Sequence, residues 1–250
     1  NKSWYNQQIE QRPFVEATGA RYIQIHTSQR FEQGIQEAFL MAIRERTPVI
    51  LGIPFDLLHE NMTNSPKNEP PLYEVFQSSV SKPSGNVNHI RYLADMLINA
   101  ERPIIMAGLG ASQARSSEKI ALLAEKCDAL LTTTLPARGV FNDDPFYLGV
   151  SGGFASQVTR KFLAESDLVV AFGASISSHN SDQQQLWPKA NVIQITLDPQ
   201  QFFQGNTVSG KIIVGDAEQV VSELILQIRP KPRINRTSKN ARFIEQTPID

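Results

Sequence analysis

Apolar positions along the chain fall into two alternating rhythms: short unbroken runs, and longer stretches spaced three to four residues apart. Tyr22, Ile23 and Ile25 form a brief strand-like run. Phe31, Ile35, Ala38, Phe39, Ala42 and Ile43 recur at helical spacing and predict a helix near 31–46. Val49, Ile50, Leu51 and Ile53 then read as a buried strand ended by Pro54. Residues 21–53 are therefore expected to form one β-α-β unit. Nothing before residue 20 supplies the further strands of a complete sheet, so residues 1–60 read as the C-terminal part of a domain.

A polar stretch from about Glu60 to Asn86 carries Pro66, Pro70, Pro71 and Pro83, and predicts a linker over 61–86. Leu72, Tyr73, Val75 and Phe76 give it a small apolar knot suited to wrapping a neighbouring surface. From residue 87 helices and strands alternate. Helical spacing through Val87, Ile90, Leu93 and Leu97 precedes the run Ile104–Ala107, and a helix through Ile120 and Leu123 precedes Ala129–Thr132. A helix through Val158, Phe162 and Leu163 leads to Leu168–Phe172. Runs at Val192–Leu197 and Ile212–Val214 precede a helix through Val220, Val221, Leu224 and Ile225. Short apolar strands alternating with amphipathic helices predict an α/β fold, a Rossmann-like doubly wound parallel sheet over 87–228. Its expected core includes Ile104, Ile105, Leu168, Val169, Val170, Ile193 and Ile195. Residues 229–250 hold six basic and two acidic side chains among Pro230, Pro232 and Pro248, and are expected to be a solvated basic linker or tail.

Composition narrows the partners. The 250 residues carry 24 Lys and Arg against 25 Asp and Glu, a net charge of −1, which argues against nucleic acid or an anionic membrane as partner. A hydrophobic content of 41% with 20% charged residues is that of a soluble globular protein. Cys127 is the single cysteine, so neither a disulfide framework nor a cysteine-based zinc site is expected, and a cytoplasmic location fits. No apolar run is long enough to span a membrane. The first residues lack both an initiator Met and the layout of a signal peptide, and the sequence reads as a piece of a longer chain.

In a parallel α/β sheet, ligands bind beyond the C-terminal strand ends. Gly108 and Gly110 follow Ile104–Ala107 and lead into a helix, where backbone approaches a diphosphate easily; a tight turn without ligand explains them equally well. The third glycine of the dinucleotide pattern is replaced by Gln113. Thr133, Thr134 and Leu135 follow the second strand. Gly173 and Ala174 follow the third, where small residues make room for a ligand or for a close-packed chain. Asp198 closes the next run and suits ribose hydroxyls, although Asp198-Pro199 also opens turns. The histidines (His26, His59, His89, His179) lack zinc-ligand spacing. Ser151-Gly152-Gly153 reads as a flexible glycine loop, Asp143-Asp144 as a turn and Cys127 as a packing residue.

Ordered blocks within this pattern resemble a known family. Pro103-Ile-Ile-Met-Ala-Gly-Leu-Gly-Ala111, Thr132-Thr-Thr-Leu-Pro-Ala-Arg-Gly139, Leu148-Gly-Val-Ser-Gly-Gly153, Asp167-Leu-Val-Val-Ala-Phe-Gly-Ala-Ser175, Ile193-Gln-Ile-Thr-Leu-Asp-Pro199 and Val214-Gly-Asp-Ala217 follow one another in this order. The series resembles the central domain of thiamine-diphosphate-dependent enzymes of the acetolactate synthase type. Arg46-Thr-Pro-Val-Ile-Leu-Gly-Ile-Pro-Phe-Asp56 resembles the end of that family's pyrimidine-binding domain.

The resemblance implies a segment of a 2-keto acid decarboxylase or carboligase, with thiamine diphosphate and Mg²⁺ held by the parent enzyme. The family's activating glutamate is absent from these blocks, and Glu10 and Glu16 do not sit in its motif. The only Gly-Asp, Gly215-Asp216, belongs to the closing block and not to a diphosphate motif. The segment alone is therefore expected to be inactive, with the missing pyrimidine- and diphosphate-binding domains as partners in a homo-oligomer. Flavin-containing members bind FAD in the central domain, and some relatives bind ADP. The residues implied for such a crevice are Gly108, Gly110, Thr133, Thr134, Leu135, Gly173, Ala174 and Asp198. Where flavin-binding relatives supply an Arg, this sequence has Ser175-Ile176-Ser177-Ser178-His179, which argues against FAD. The alternatives are a free-standing nucleotide-binding module and a structural or oligomerisation domain.

Overall fold

The computed structural model describes residues 9–60, 82–183, 185–198 and 210–246. They fall into two compact units divided between Ser81 and Lys82.

In the first unit α1 (Gln11–Ala17) precedes β1 (Arg21–Gln24), and α2 (Phe31–Glu45) leads into β2 (Val49–Gly52). β1 and β2 pair in parallel, Tyr22 opposite Ile50 and Ile23 opposite Leu51, forming the expected β-α-β unit. α2 ends where Arg46 turns left-handed at φ 50°. The apolar face of α2 is only partly used: Ile25 is buried, whereas Phe39, Ile43 and Ile50 remain exposed at 53%, 39% and 45%.

The second unit opens with α3 (Val87–Asn99), capped by the Asn86 side chain. It continues through β3 (Pro103–Ala107), the short α4 (Leu109–Gln113), α5 (Ser117–Cys127), β4 (Leu130–Thr133) and β5 (Tyr147–Val150). Next come α6 (Gln157–Glu165), β6 (Leu168–Phe172), the single turn α7 (Ser178–Ser181), β7 (Asn191–Thr196), β8 (Gly210–Val214), α8 (Ala217–Gln227) and α9 (Ser238–Gln246). The strands form one six-stranded sheet in the order β5-β4-β3-β6-β7-β8, every pairing parallel. This is the expected doubly wound fold, and its winding reverses between β3 and β6.

Side chains alternate across that sheet, as a two-residue period requires. Ile105, Leu131, Val170, Phe172, Ile193 and Ile195 face one core, closed by α3, α5 and α8 through Leu93, Leu123 and Val221. Ile104, Met106, Val169 and Ala171 face the other, closed by Val158 and Leu163 of α6 with Ile176 and Trp187. Strands buried on both faces read as unbroken apolar runs, which is why β3 and β6 were legible. All the residues expected in the sheet core are buried, none above 2% exposure.

Two boundaries differ from expectation. Residues 82–86 belong to the second unit: the Pro83 carbonyl accepts from Asp216 N–H at 2.7 Å, and Gly85 lies against Val214 and Val220. The remainder of the expected linker, 61–81, lies outside the described residues. The basic tail is the larger correction, because it is no solvated linker through residue 246. Asp128, left-handed at the end of α5 (φ 56°), accepts from the backbone N–H groups of Ile234 (2.7 Å), Asn235 (2.6 Å) and Arg236 (2.9 Å). Arg236 is buried, donates to the Ala129 carbonyl (3.0 Å) and to both carboxylate oxygens of Asp144 (3.0 and 2.7 Å), and stacks 4.4 Å from the Phe146 ring centroid. Lys231 donates to the carbonyls of Leu97 and Ala100 at the end of α3. The segment is basic because it is a strap pinned to carboxylates and helix C-terminal carbonyls.

Candidate functional site

The C-terminal strand ends of the second unit gather the loops that the sequence singles out. At the reversal point the loop after β3 and the loop after β6 are sewn together: Gly108 N–H donates to the Phe172 carbonyl and Gly110 N–H to the Gly173 carbonyl, each at 2.9 Å. A Cβ on Gly108 would stand 2.4 Å from Ala174 Cα, and one on Gly173 would stand 2.3 Å from Ala111 N. Gly173 also has φ +54°, where a side chain is strained. The space freed by these glycines is thus filled by the opposing loop. Close packing of the two loops accounts for these glycines. Two of the N–H groups that would meet a diphosphate are spent on the loop–loop contact.

The other expected residues separate from that contact. Thr133 is buried and its hydroxyl pairs with Tyr147 Oη at 2.7 Å, while Thr134 is buried with its N–H donated to the Ala107 carbonyl at 3.0 Å. Asp198 lies at the exposed end of β7, its N–H held by Thr196 Oγ1 at 3.1 Å. Leu135, nearly half exposed, lines an open cleft.

That cleft, about 440 Å³, sits beyond β4, β5 and β6. Leu135 and Pro136 form one wall, Ser151, Gly153 and Phe154 a second, and His179, Asn180, Asp182 and Gln183 a third. Phe154 is 75% exposed at its rim. The glycine loop of the second wall is fixed, contrary to the flexible loop expected from Ser151-Gly152-Gly153. Ser151 Oγ donates to the Asn180 carbonyl (2.9 Å) and Gly153 N–H to the His179 carbonyl (3.1 Å). Gly152, at φ +98°, lets the chain pass so close that a Cβ would meet the His179 oxygen at 2.2 Å. Arg160 braces the third wall through Asp182 at 2.6 Å. The sequence does not single out Phe154, Asn180 or Asp182: Phe154 lies in the loop after β5, and Asn180 and Asp182 lie in and just after α7, a single turn too short to show periodicity.

The Asp216 carboxylate caps α8, accepting from Glu218 N–H (3.0 Å) and Gln219 N–H (3.3 Å). Among the described residues no group of three or more His, Cys, Asp or Glu side chains could hold a metal ion. Cys127 is fully buried and burial pushes its thiol up to about 12, against the opposing pull of Lys231 and Lys126, so it packs and does not attack. Among the described residues no helix is long and apolar enough to cross a membrane.

A doubly wound sheet with a closed reversal point and a cleft beside it defines a nucleotide-domain-like scaffold. Comparison with known proteins identifies it further: residues 90–224 match the model of the thiamine pyrophosphate enzyme central domain, and the chain belongs to that family. It is 29% identical over 207 residues to the acetolactate synthase large subunit of Buchnera aphidicola from Schizaphis graminum, covering 80% of this chain and 35% of that protein. It is 30% identical over 200 residues to an acetolactate synthase of Mycobacterium bovis, covering 78% of this chain and 31% of that protein. The chain thus spans about a third of the length of these relatives. Benzoylformate decarboxylase from Polynucleobacter necessarius shares the fold, with a TM-score of 0.63 at 16% identity over 86% of this chain and 40% of that one. The residues described do not fit a thiamine diphosphate and Mg²⁺ site, and no catalytic step is assigned to them.

Proposed function

We propose that the chain is a segment of a thiamine-diphosphate-dependent enzyme of the acetolactate synthase type, acting on 2-keto acids by decarboxylation or carboligation. The observation that carries this reading is the match to acetolactate synthases over about four-fifths of the chain, well beyond the central domain alone. In such an enzyme the cofactor supplies the carbanion chemistry and the protein supplies position and shielding. This segment contributes scaffold and interdomain surface, in a cytoplasmic homo-oligomer whose other domains hold thiamine diphosphate and Mg²⁺. The test is expression of the chain within its flanking coding sequence. Thiamine-diphosphate-dependent turnover of pyruvate or another 2-keto acid by the longer product is the expected result; a longer product that turns over no 2-keto acid overturns the reading.

The cleft beside Leu135 and Phe154 favours a second reading, in which the segment holds FAD or ADP at this end of the sheet. Thermal melts with each nucleotide test it: a melting shift that Leu135→Arg removes supports the reading, and unchanged melts reject it.

A further inference from the structure

We propose that a second cleft, at the opposite end of the sheet, binds a phosphorylated organic anion with a flat apolar body, of nucleotide size. This cleft of about 710 Å³ lies between α9, α6 and the starts of β3 and β4, where Pro103, Ile104 and Leu130 form its inner wall. Its volume is that of small-molecule sites.

Charge in the cleft is strongly one-sided. Arg102, Lys161, Lys239 and Arg242 line it, against the single carboxylate of Glu165, which pairs with Arg102 at 2.9 Å. Among the described residues no ion pair joins Lys161, Lys239 or Arg242 to a carboxylate. The chain as a whole carries −1, so this cluster is a local feature and not a reflection of overall charge. The first turn of the nine-residue α9 also lines the cleft, adding the positive end of its dipole.

Apolar surface accompanies the charge. Ile234 is 73% exposed and Phe243 40% exposed, and both line the cleft. Lys161 Nζ stands 4.4 Å from the Phe243 ring centroid, which holds the ammonium beside the aromatic face. The strap bearing Ile234 is pinned by Asp128, and the Phe243 ring packs edge-on against Phe162 at 6.2 Å. An inorganic anion would use the cations and leave Ile234 and Phe243 in water; a neutral aromatic would do the reverse. A phosphorylated ligand with a planar ring system uses both.

Calorimetric titration of the 250-residue chain with ATP, tripolyphosphate and adenosine tests the proposal. ATP is expected to bind saturably, and the two partial probes at least about tenfold more weakly. Lys239→Glu/Arg242→Glu should weaken ATP at least about tenfold, and Lys161→Gln on a different helix should weaken it independently while leaving the melting temperature unchanged. Leu135→Arg, in the other cleft, should have no effect. Absence of saturable ATP binding overturns the proposal. So does tripolyphosphate binding as tightly as ATP, ATP binding that survives both Lys161→Gln and the double reversal, or ATP binding that follows Leu135→Arg.

Discussion

The N–H of Gly108 lies 2.9 Å from the carbonyl oxygen of Phe172, tying the loop after β3 to the end of β6 where the winding of the sheet reverses. The contact exists because neither Gly108 nor Gly173 presents a Cβ to the other loop. Gly108→Ala should therefore drive a methyl into the Ala174 backbone, and Gly173→Ala adds strain at φ +54°. Each should destabilise the second unit by about 2 kcal/mol or more, read as a lower urea midpoint. Wild-type stability in either variant would mean that the loops separate at little cost, leaving the reversal point open to a ligand.

The strap yields the second prediction. Arg236→Ala leaves Asp144 without its buried partner and should cost about 3 kcal/mol, whereas Asp128→Ala strips the acceptor from three successive backbone N–H groups. Both variants should expose Lys239 and Arg242 to trypsin while residues 82–228 stay folded. Unchanged cleavage would show that the strap is held by its apolar contacts alone.

Cys127 sets a stability limit at high pH. Burial raises its thiol from 9.0 to about 12, so between these values the unfolded chain releases a proton that the folded chain keeps. Stability fully present below pH 9 is lost as pH rises through that window, at up to about 1.4 kcal/mol per pH unit. Urea melts at about pH 8 and about pH 10.5 should show a larger loss for wild type than for Cys127→Ala, whose overall stability is lower at both. Equal losses would show that Cys127 keeps its ordinary acidity when folded.

The first unit predicts association. Ile43 and Ile50 are exposed, and among the described residues β1 and β2 form a two-stranded sheet with edges suited to pairing. Light scattering should give more than one protomer per particle for the full chain and fewer protomers per particle for the form lacking residues 1–60. A monomer in both cases would rule out association through residues 20–56.

What the sequence revealed depended on how local the cause was. Leu168–Phe172 was read at its true bounds because a central strand buried on both faces writes itself as an apolar run. β5 was not foreseen: it is an edge strand of four residues interrupted by Gly149 at φ +93°. The strap was misread because its partners, Asp128 and Asp144, lie about a hundred residues away, and a Pro-rich basic segment looks solvated until they are in place. The glycines after β3 and β6 were recognisable as strand-end loops. That they face each other follows from the strand order, which periodicity does not contain.

Calorimetry of the 250-residue chain with thiamine diphosphate and Mg²⁺ tests the central claim most directly. The carboxylate of its one Gly-Asp, Asp216, is committed to capping α8. The account predicts no saturable heat from the chain alone and saturable binding once the flanking coding sequence is included. Micromolar binding by the 250 residues themselves would contradict it.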